Sequence, residues 1–142
     1  ISILAAARAA EVRGVESLAE SVRNAERNAA LNEIRNAFFI CGDVKKVLGA
    51  MAGDRKPPTV VIVNPPRAGL NSAVIRGMLR LRPRRFVYVS CNPTTLARDL
   101  KEMTERDYRL TRVKPVDMFP HTYHIECVAS IDLVASDQFT QT

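Results

Sequence analysis

Tryptophan is absent from this 142-residue chain, and the other aromatics are few: five Phe and three Tyr. Its core must therefore be mainly aliphatic. The 46% of residues that are apolar suffice for one domain of ordinary size, residues 1–142. Long hydrophobic runs are missing too. Residues 59–63, among the longest, are far too short to cross a bilayer, so no membrane partner is expected. The first ten residues lack a charged start and a cleavage site, and no secretory leader is visible. No initiator methionine stands at position 1, which reads as a fragment or a trimmed chain. Cysteine is scarce: Cys41, Cys91 and Cys127, an odd count at wide spacing. That excludes a disulfide framework and points to a reducing compartment, the cytoplasm. Acidic charge is the minority, 15 Asp and Glu against 21 Lys and Arg, for a net charge of +6. A polyanionic partner is compatible with that excess, which does not by itself establish one.

What is present is an alternation of periods. Residues 1–10 read as the end of a helix and 12–15 as a short strand. Ser17, with Glu20 three residues on, forms a capping-box pattern, and Leu18, Val22, Ala25 and Ala29 follow at helical spacing. Further strands are expected at 37–41, 59–63, 85–90, 108–113 and 125–134, and helices at 44–52, 72–81 and 94–103. The β-branched run at 59–63 reads as a strand buried on both faces. Such alternation predicts βαβ units in a Rossmann-like α/β sheet, mostly parallel with an antiparallel last strand. Ligands of such sheets sit beyond the carboxyl ends of the strands. Glu16, Asp43, Asn64 and Cys91 each follow a predicted strand, and Glu126 opens the last one, so all five are expected on one edge.

Each candidate has a chemical reading and a plain one. Glu16, after the second strand of a nucleotide-binding sheet, suits ribose hydroxyls; otherwise it is a solvated carboxylate at a helix start. Asp43 suits an adenine amino group, or caps the next helix, and the two are compatible. Pro65 and Pro66 stiffen the turn that aims Asn64 and Arg67. Asn-Pro-Pro followed by an aromatic marks methyl transfer to amino nitrogens, and Arg67 in the aromatic's place argues against that chemistry. Cys91 is either an inert core thiol or a nucleophile at the ligand edge, needing a basic neighbour such as Arg67, His121 or His124. Glu126 amid apolar strand residues is either a functional carboxylate or the partner of an arginine. His121, His124 and Cys127 lack a nearby fourth ligand, and Cys127 should point away from Glu126 on a strand, so no metal is expected. Arg76, Arg80, Arg82, Arg84 and Arg85 read as a solvated surface, because the last three precede a strand and fall at the opposite edge. Arg67 and Arg98 are better placed for RNA.

Five segments together resemble the S-adenosylmethionine-dependent RNA uracil-C5 methyltransferases of transfer and ribosomal RNA. They are Val15-Glu16, Cys41-Gly42-Asp43, Asn64-Pro65-Pro66-Arg67-Ala68-Gly69-Leu70, Tyr88-Val89-Ser90-Cys91-Asn92-Pro93, and residues 117–126, Asp-Met-Phe-Pro-His-Thr-Tyr-His-Ile-Glu. The resemblance implies that Cys91 is the nucleophile and Glu126 the base. It implies that Glu16, Asp43 and Asn64 line a pocket for S-adenosylmethionine; Arg67, Arg98, His121 and His124 are the candidates for RNA or base contact. Many family members carry Asp where this chain has Asn64. The family's first strand, its Gly-rich loop and its N-terminal RNA-binding barrel have no counterpart in these residues, so self-association of the chain is expected through unpaired edges. Two other readings stand beside this one: a methyltransferase for cytosine C5 or an amino nitrogen, and a noncatalytic nucleotide- or RNA-binding module.

Overall fold

The computed structural model describes residues 1–54, 56–105 and 107–134; Arg55, in the expected loop 53–58, lies outside them. The elements run α1 (Ser2–Ala6), β1 (Val12–Glu16), α2 (Ala19–Leu31), β2 (Ala37–Cys41), α3 (Val44–Met51), β3 (Val60–Val63), α4 (Ser72–Arg80), β4 (Arg85–Ser90), α5 (Pro93–Thr104), β5 (Tyr108–Val116) and β6 (Glu126–Leu133). Every expected element is present, with bounds shifted by a few residues at most among the interior ones.

The single expected sheet is two. β1 and β2 pair in parallel, and β3-β4-β6-β5 form a separate four-stranded sheet. The chain divides into two compact units accordingly, Ile1–Ala50 and the part from Met51 onward. A sheet is continuous only where each strand has a ladder partner, and no described strand joins β1 or β2 to β3.

In the first unit, α1 and α2 both pack on the β1–β2 pair. The capping box at Ser17 does not form. Leu18 is the N-cap of α2 and makes no side-chain cap bond. The Ser17 amide and hydroxyl instead donate to Glu16 Oε1, at 2.7 and 3.2 Å, because an ionised carboxylate is the stronger acceptor.

In the second unit, β3 and β4 are parallel, while β6 runs antiparallel to both β4 and β5. Period-two alternation places Phe86, Tyr88 and Ser90 of β4 on one face. Their cross-strand partners on β6 are Ile131, Ala129 and Cys127, and all six are buried. α5 packs on this sheet and against α4. Its Leu96, Asp99, Leu100 and Met103 form one buried stripe at helical spacing. Tyr108 of β5 meets Phe86 at 5.0 Å between ring centroids, and burial pushes its phenol up to about 12.

β3 is not buried on both faces. Val60 and Ile62 are 46% and 40% exposed, because β3 is the edge strand of the described sheet. At the far end of that sheet, the arginines expected to be solvated are exposed and mostly paired. Arg85 makes a two-pronged contact with Asp132, Arg82 contacts Asp107, and Arg76 contacts Glu102.

Candidate active site

In the first unit Glu16 closes β1 and Asp43 follows β2, so both stand at the carboxyl end of two parallel strands. Glu16 Oε1 also accepts from the Leu18 amide at 3.1 Å. The backbone donors of Leu18 and Ser17 hold this carboxyl below its ordinary value. Asp43 caps α3, its Oδ1 accepting from the amides of Lys45 and Lys46 at 2.8 and 3.2 Å. In both residues the second carboxylate oxygen has no partner among the described residues. Each is thus an exposed anionic acceptor, held in place by its other oxygen, and suits ribose hydroxyls or an amino group.

The second unit brings the other candidates together. Asn64 and Cys91 follow the parallel strands β3 and β4, and Glu126 opens the antiparallel β6, so all three stand on one sheet edge. The ladder ends at Ser90↔Cys127. Cys91 comes one residue after Ser90 and Glu126 one residue before Cys127, so the two flank the last rung of that ladder; Glu126 itself pairs with Val116 of β5 and does not line the cavity that Cys91 lines. The side chains of Asn64, Cys91 and Glu126 make no hydrogen bond or ion pair among the described residues. The alternative of an arginine partner for Glu126 is therefore not realised there.

The loop 64–70 is clamped by one face of α5. Asn92 is the N-cap, its Oδ1 accepting from the Thr94 amide, and its Nδ2 donates to the Arg67 carbonyl. Thr95, one turn on, donates to the same carbonyl at 3.0 Å. Arg98, at the next turn, donates to the carbonyls of Ala68 and Leu70. Its guanidinium, put forward for RNA contact, is thus committed within the protein. Asp99, only 1% exposed, is the hub. It accepts from Arg98, from the Leu70 amide at 2.7 Å and from the Tyr88 hydroxyl at 2.6 Å. Burial, and then the bond to Asp99, pushes the Tyr88 phenol well above its ordinary range. Gly69, at φ +75°, lies so close that a Cβ there would sit 2.6 Å from Asp99 Oδ2 and 2.7 Å from Arg98 Nη2. Sequence reasoning passed over Asp99. The signal was a carboxylate set in the apolar stripe of Leu96, Leu100 and Met103.

Between these elements lies a cavity of about 210 Å³, lined by Arg67, Cys91, Asn92, Pro93, Tyr123, His124 and Ile125. That is below the roughly 300–1,000 Å³ of drug-sized sites and suits a single ring. Arg67 Nη2 lies 2.8 Å from His124 Nδ1. The same nitrogen lies 3.3 Å from His124 Nε2, so the guanidinium rests against the imidazole. Ser90 Oγ bonds both the amide and the carbonyl of Asn92, which fixes the backbone on either side of Cys91. His121, at φ +66°, is exposed and does not line the cavity. Among the described residues no three of His, Cys, Asp and Glu gather as a metal site.

The family model described as tRNA (uracil-5-)-methyltransferase matches residues 1–132. An uncharacterized RNA methyltransferase of Caldanaerobacter subterraneus is 46% identical over 132 residues, covering 93% of this chain and 29% of that protein. One of Bacillus cereus is 46% identical over 134 residues, covering 94% and 29%. The chain thus spans less than a third of the length of these relatives. The crystal structure of Pyrococcus abyssi tRNA (uracil-54, C5)-methyltransferase in complex with S-adenosyl-L-homocysteine is similar at a TM-score of 0.78 and 39% identity, covering 91% of this chain and 30% of that one. An rRNA methylase of Streptococcus thermophilus, at 9% identity and a TM-score of 0.73, covering 94% and 79%, shares the Rossmann-like fold.

Proposed function

Because the chain belongs to the tRNA (uracil-5-)-methyltransferase family, we propose that it methylates C5 of a uridine in transfer or ribosomal RNA, with Cys91 as nucleophile and Glu126 as base. The observation that supports this reading is that Cys91 and Glu126 flank the last β4–β6 rung, with Cys91 lining a cavity sized for one ring. The setting for the reaction is the cytoplasm, in keeping with three free cysteines.

S-adenosylmethionine, when bound, supplies an electrophilic methyl group on a sulfonium. Glu16 and Asp43 fit its nucleoside end, since each keeps one carboxylate oxygen open for a hydroxyl or amino donor. Asn64 is an exposed amide at the neighbouring strand end of its own unit, able to accept or donate without adding charge.

The chemistry of the chain's own residues follows from what uracil lacks. Its C5 is too weak a nucleophile to take a methyl group directly. The Cys91 thiolate adds to C6, and the electrons of the C5=C6 bond move to C5 and the adjoining carbonyl as an enolate. Arg67 and the N-terminal end of α5 are the positive groups beside that thiolate. Once C5 carries the methyl, Glu126 takes the C5 proton, the double bond re-forms and the Sγ–C6 bond breaks, returning the thiolate. The cavity admits a ring, not a base pair, so the uridine must enter unstacked from a loop or by flipping.

Variants of the full-length protein separate the two roles. With Cys91→Ala, neither methylated RNA nor a covalent complex should form. With Glu126→Gln, methyl transfer remains available but proton removal slows by about 10²–10⁴-fold. The methylated adduct should then accumulate as a protein–RNA band on a denaturing gel. Full turnover by Glu126→Gln without that band would remove Glu126 from the mechanism, and uridine methylation by Cys91→Ala would remove the nucleophile.

A further inference from the structure

Exposed apolar side chains cluster in residues 118–125, of which Tyr123 and Ile125 line the Cys91 cavity. Met118, Phe119, Tyr123 and Ile125 are all exposed, Tyr123 by 90%. Free-standing exposure of this kind costs solvation unless something covers it, and clustered exposure marks interaction sites. The segment presenting them is ordered by its own bonds. Asp117 accepts from the Phe119 amide, Thr122 donates its amide and hydroxyl to the Phe119 carbonyl, and the His124 amide donates to Thr122 Oγ1. Tyr123 makes no hydrogen bond among the described residues. One side of its ring meets His124 at 4.2 Å between centroids, and Arg67 in turn anchors His124. Phe119 reaches His124 edge-on, at 6.2 Å. Tyr123 is therefore a propped aromatic surface, with little else covering it, on the wall of the cavity that holds Cys91.

We infer that Tyr123 is a stacking platform for the unpaired nucleobase next to the target uridine in the RNA strand. The inference rests on the uracil-C5 reading. A cavity of about 210 Å³ takes one ring, so the neighbouring nucleotide must lie outside it, at the rim where Tyr123 stands. A base offers a flat π-face whatever its identity, and an aromatic residue matches it without reading sequence. The tyrosine hydroxyl is not needed for this role, only the ring.

The test uses the full-length protein with three short single-stranded RNA probes. Each carries one 5-fluorouridine; two also replace the 5′ or the 3′ neighbour by an abasic nucleoside. The readout is the RNA concentration giving half-maximal covalent complex. For the intact probe, Tyr123→Leu should raise it roughly tenfold, the value of one stacked base, and Tyr123→Phe, which keeps the ring, should rescue that loss. One abasic probe should raise it roughly tenfold for the unvaried protein, with no further rise from Tyr123→Leu. Equal values for Leu and Tyr, or the same loss from Leu on every probe, would overturn the platform. Absence of any covalent complex with the unvaried protein would instead overturn the uracil-C5 reading on which it rests.

Discussion

The two ends of the strands in the β3-β4-β6-β5 sheet treat their polar side chains oppositely. At the amino end of β4, Arg85 grips Asp132 through two bonds and Arg82 holds Asp107. At the carboxyl end, Asn64, Cys91 and Glu126 have no partner among the described residues, and the groups that are bonded there, Asn92, Thr95, Arg98 and Asp99, serve the loop around them. Charges at the amino end are neutralised by neighbours, whereas the candidate site groups are left open and the loop around them is braced. The same distinction separates the two arginines put forward for RNA. Arg98 is tied to three parts of the protein, and Arg67 faces the cavity on His124.

The largest effect should come from removing the brace. Asp99→Ala takes away a buried carboxylate and strands the Leu70 amide and the Tyr88 hydroxyl without an acceptor. Unfolding in denaturant should show a loss of about 3 kcal/mol. The isosteric Asp99→Asn, which keeps an acceptor, should lose less. A loss below about 1 kcal/mol for Asp99→Ala would mean that α5 does not hold the loop.

Gly69→Ala probes the same brace from the loop side. It places a methyl against Asp99 and Arg98 at a left-handed φ, which should cost about 2 kcal/mol in the same experiment. A neutral result would show that loop and helix adjust freely, which would end the contrast between a braced edge and a merely paired one.

The smallest effect belongs to the opposite edge. The bonds to Arg85 hold the Asp132 carboxyl below its ordinary 3.8. A carboxyl so lowered stabilises the fold above the unfolded value, and that contribution disappears as pH falls through the lower folded one. Asp132→Asn should therefore melt slightly below the unvaried protein at pH 7, with the gap closing toward pH 3. RNA methylation should be unaffected. A gap that widens in acid would reverse the sign argued here, and lost methylation would make this edge part of the site.

Period and turn chemistry made every described element legible, since 3.6- and two-residue alternations are local properties of the chain. The motif residues 64–67 and 91–93 were legible for the same reason, being short and rigid. Ladder partners are not local, so neither the division into two sheets nor the exposure of Val60 and Ile62 could be read from residues 59–63, which look like any buried strand. The capping box at Ser17 misled because a carboxylate one residue upstream, Glu16, competes for the same donors. Asp99 is invisible to motif reading, since its role exists only once Gly69 and Tyr88 are beside it.

In the proposed reaction a sulfur–carbon bond joins Cys91 to the RNA during methylation. In 5-fluorouridine RNA, fluorine replaces the C5 proton that Glu126 would take, so the reaction should stop at the methylated adduct. Peptide mass mapping of that trapped complex should find the nucleotide on Cys91, carrying one added methyl. Attachment at Cys41 or Cys127, or methylation of uridine RNA by a protein that 5-fluorouridine RNA never traps, would contradict the account.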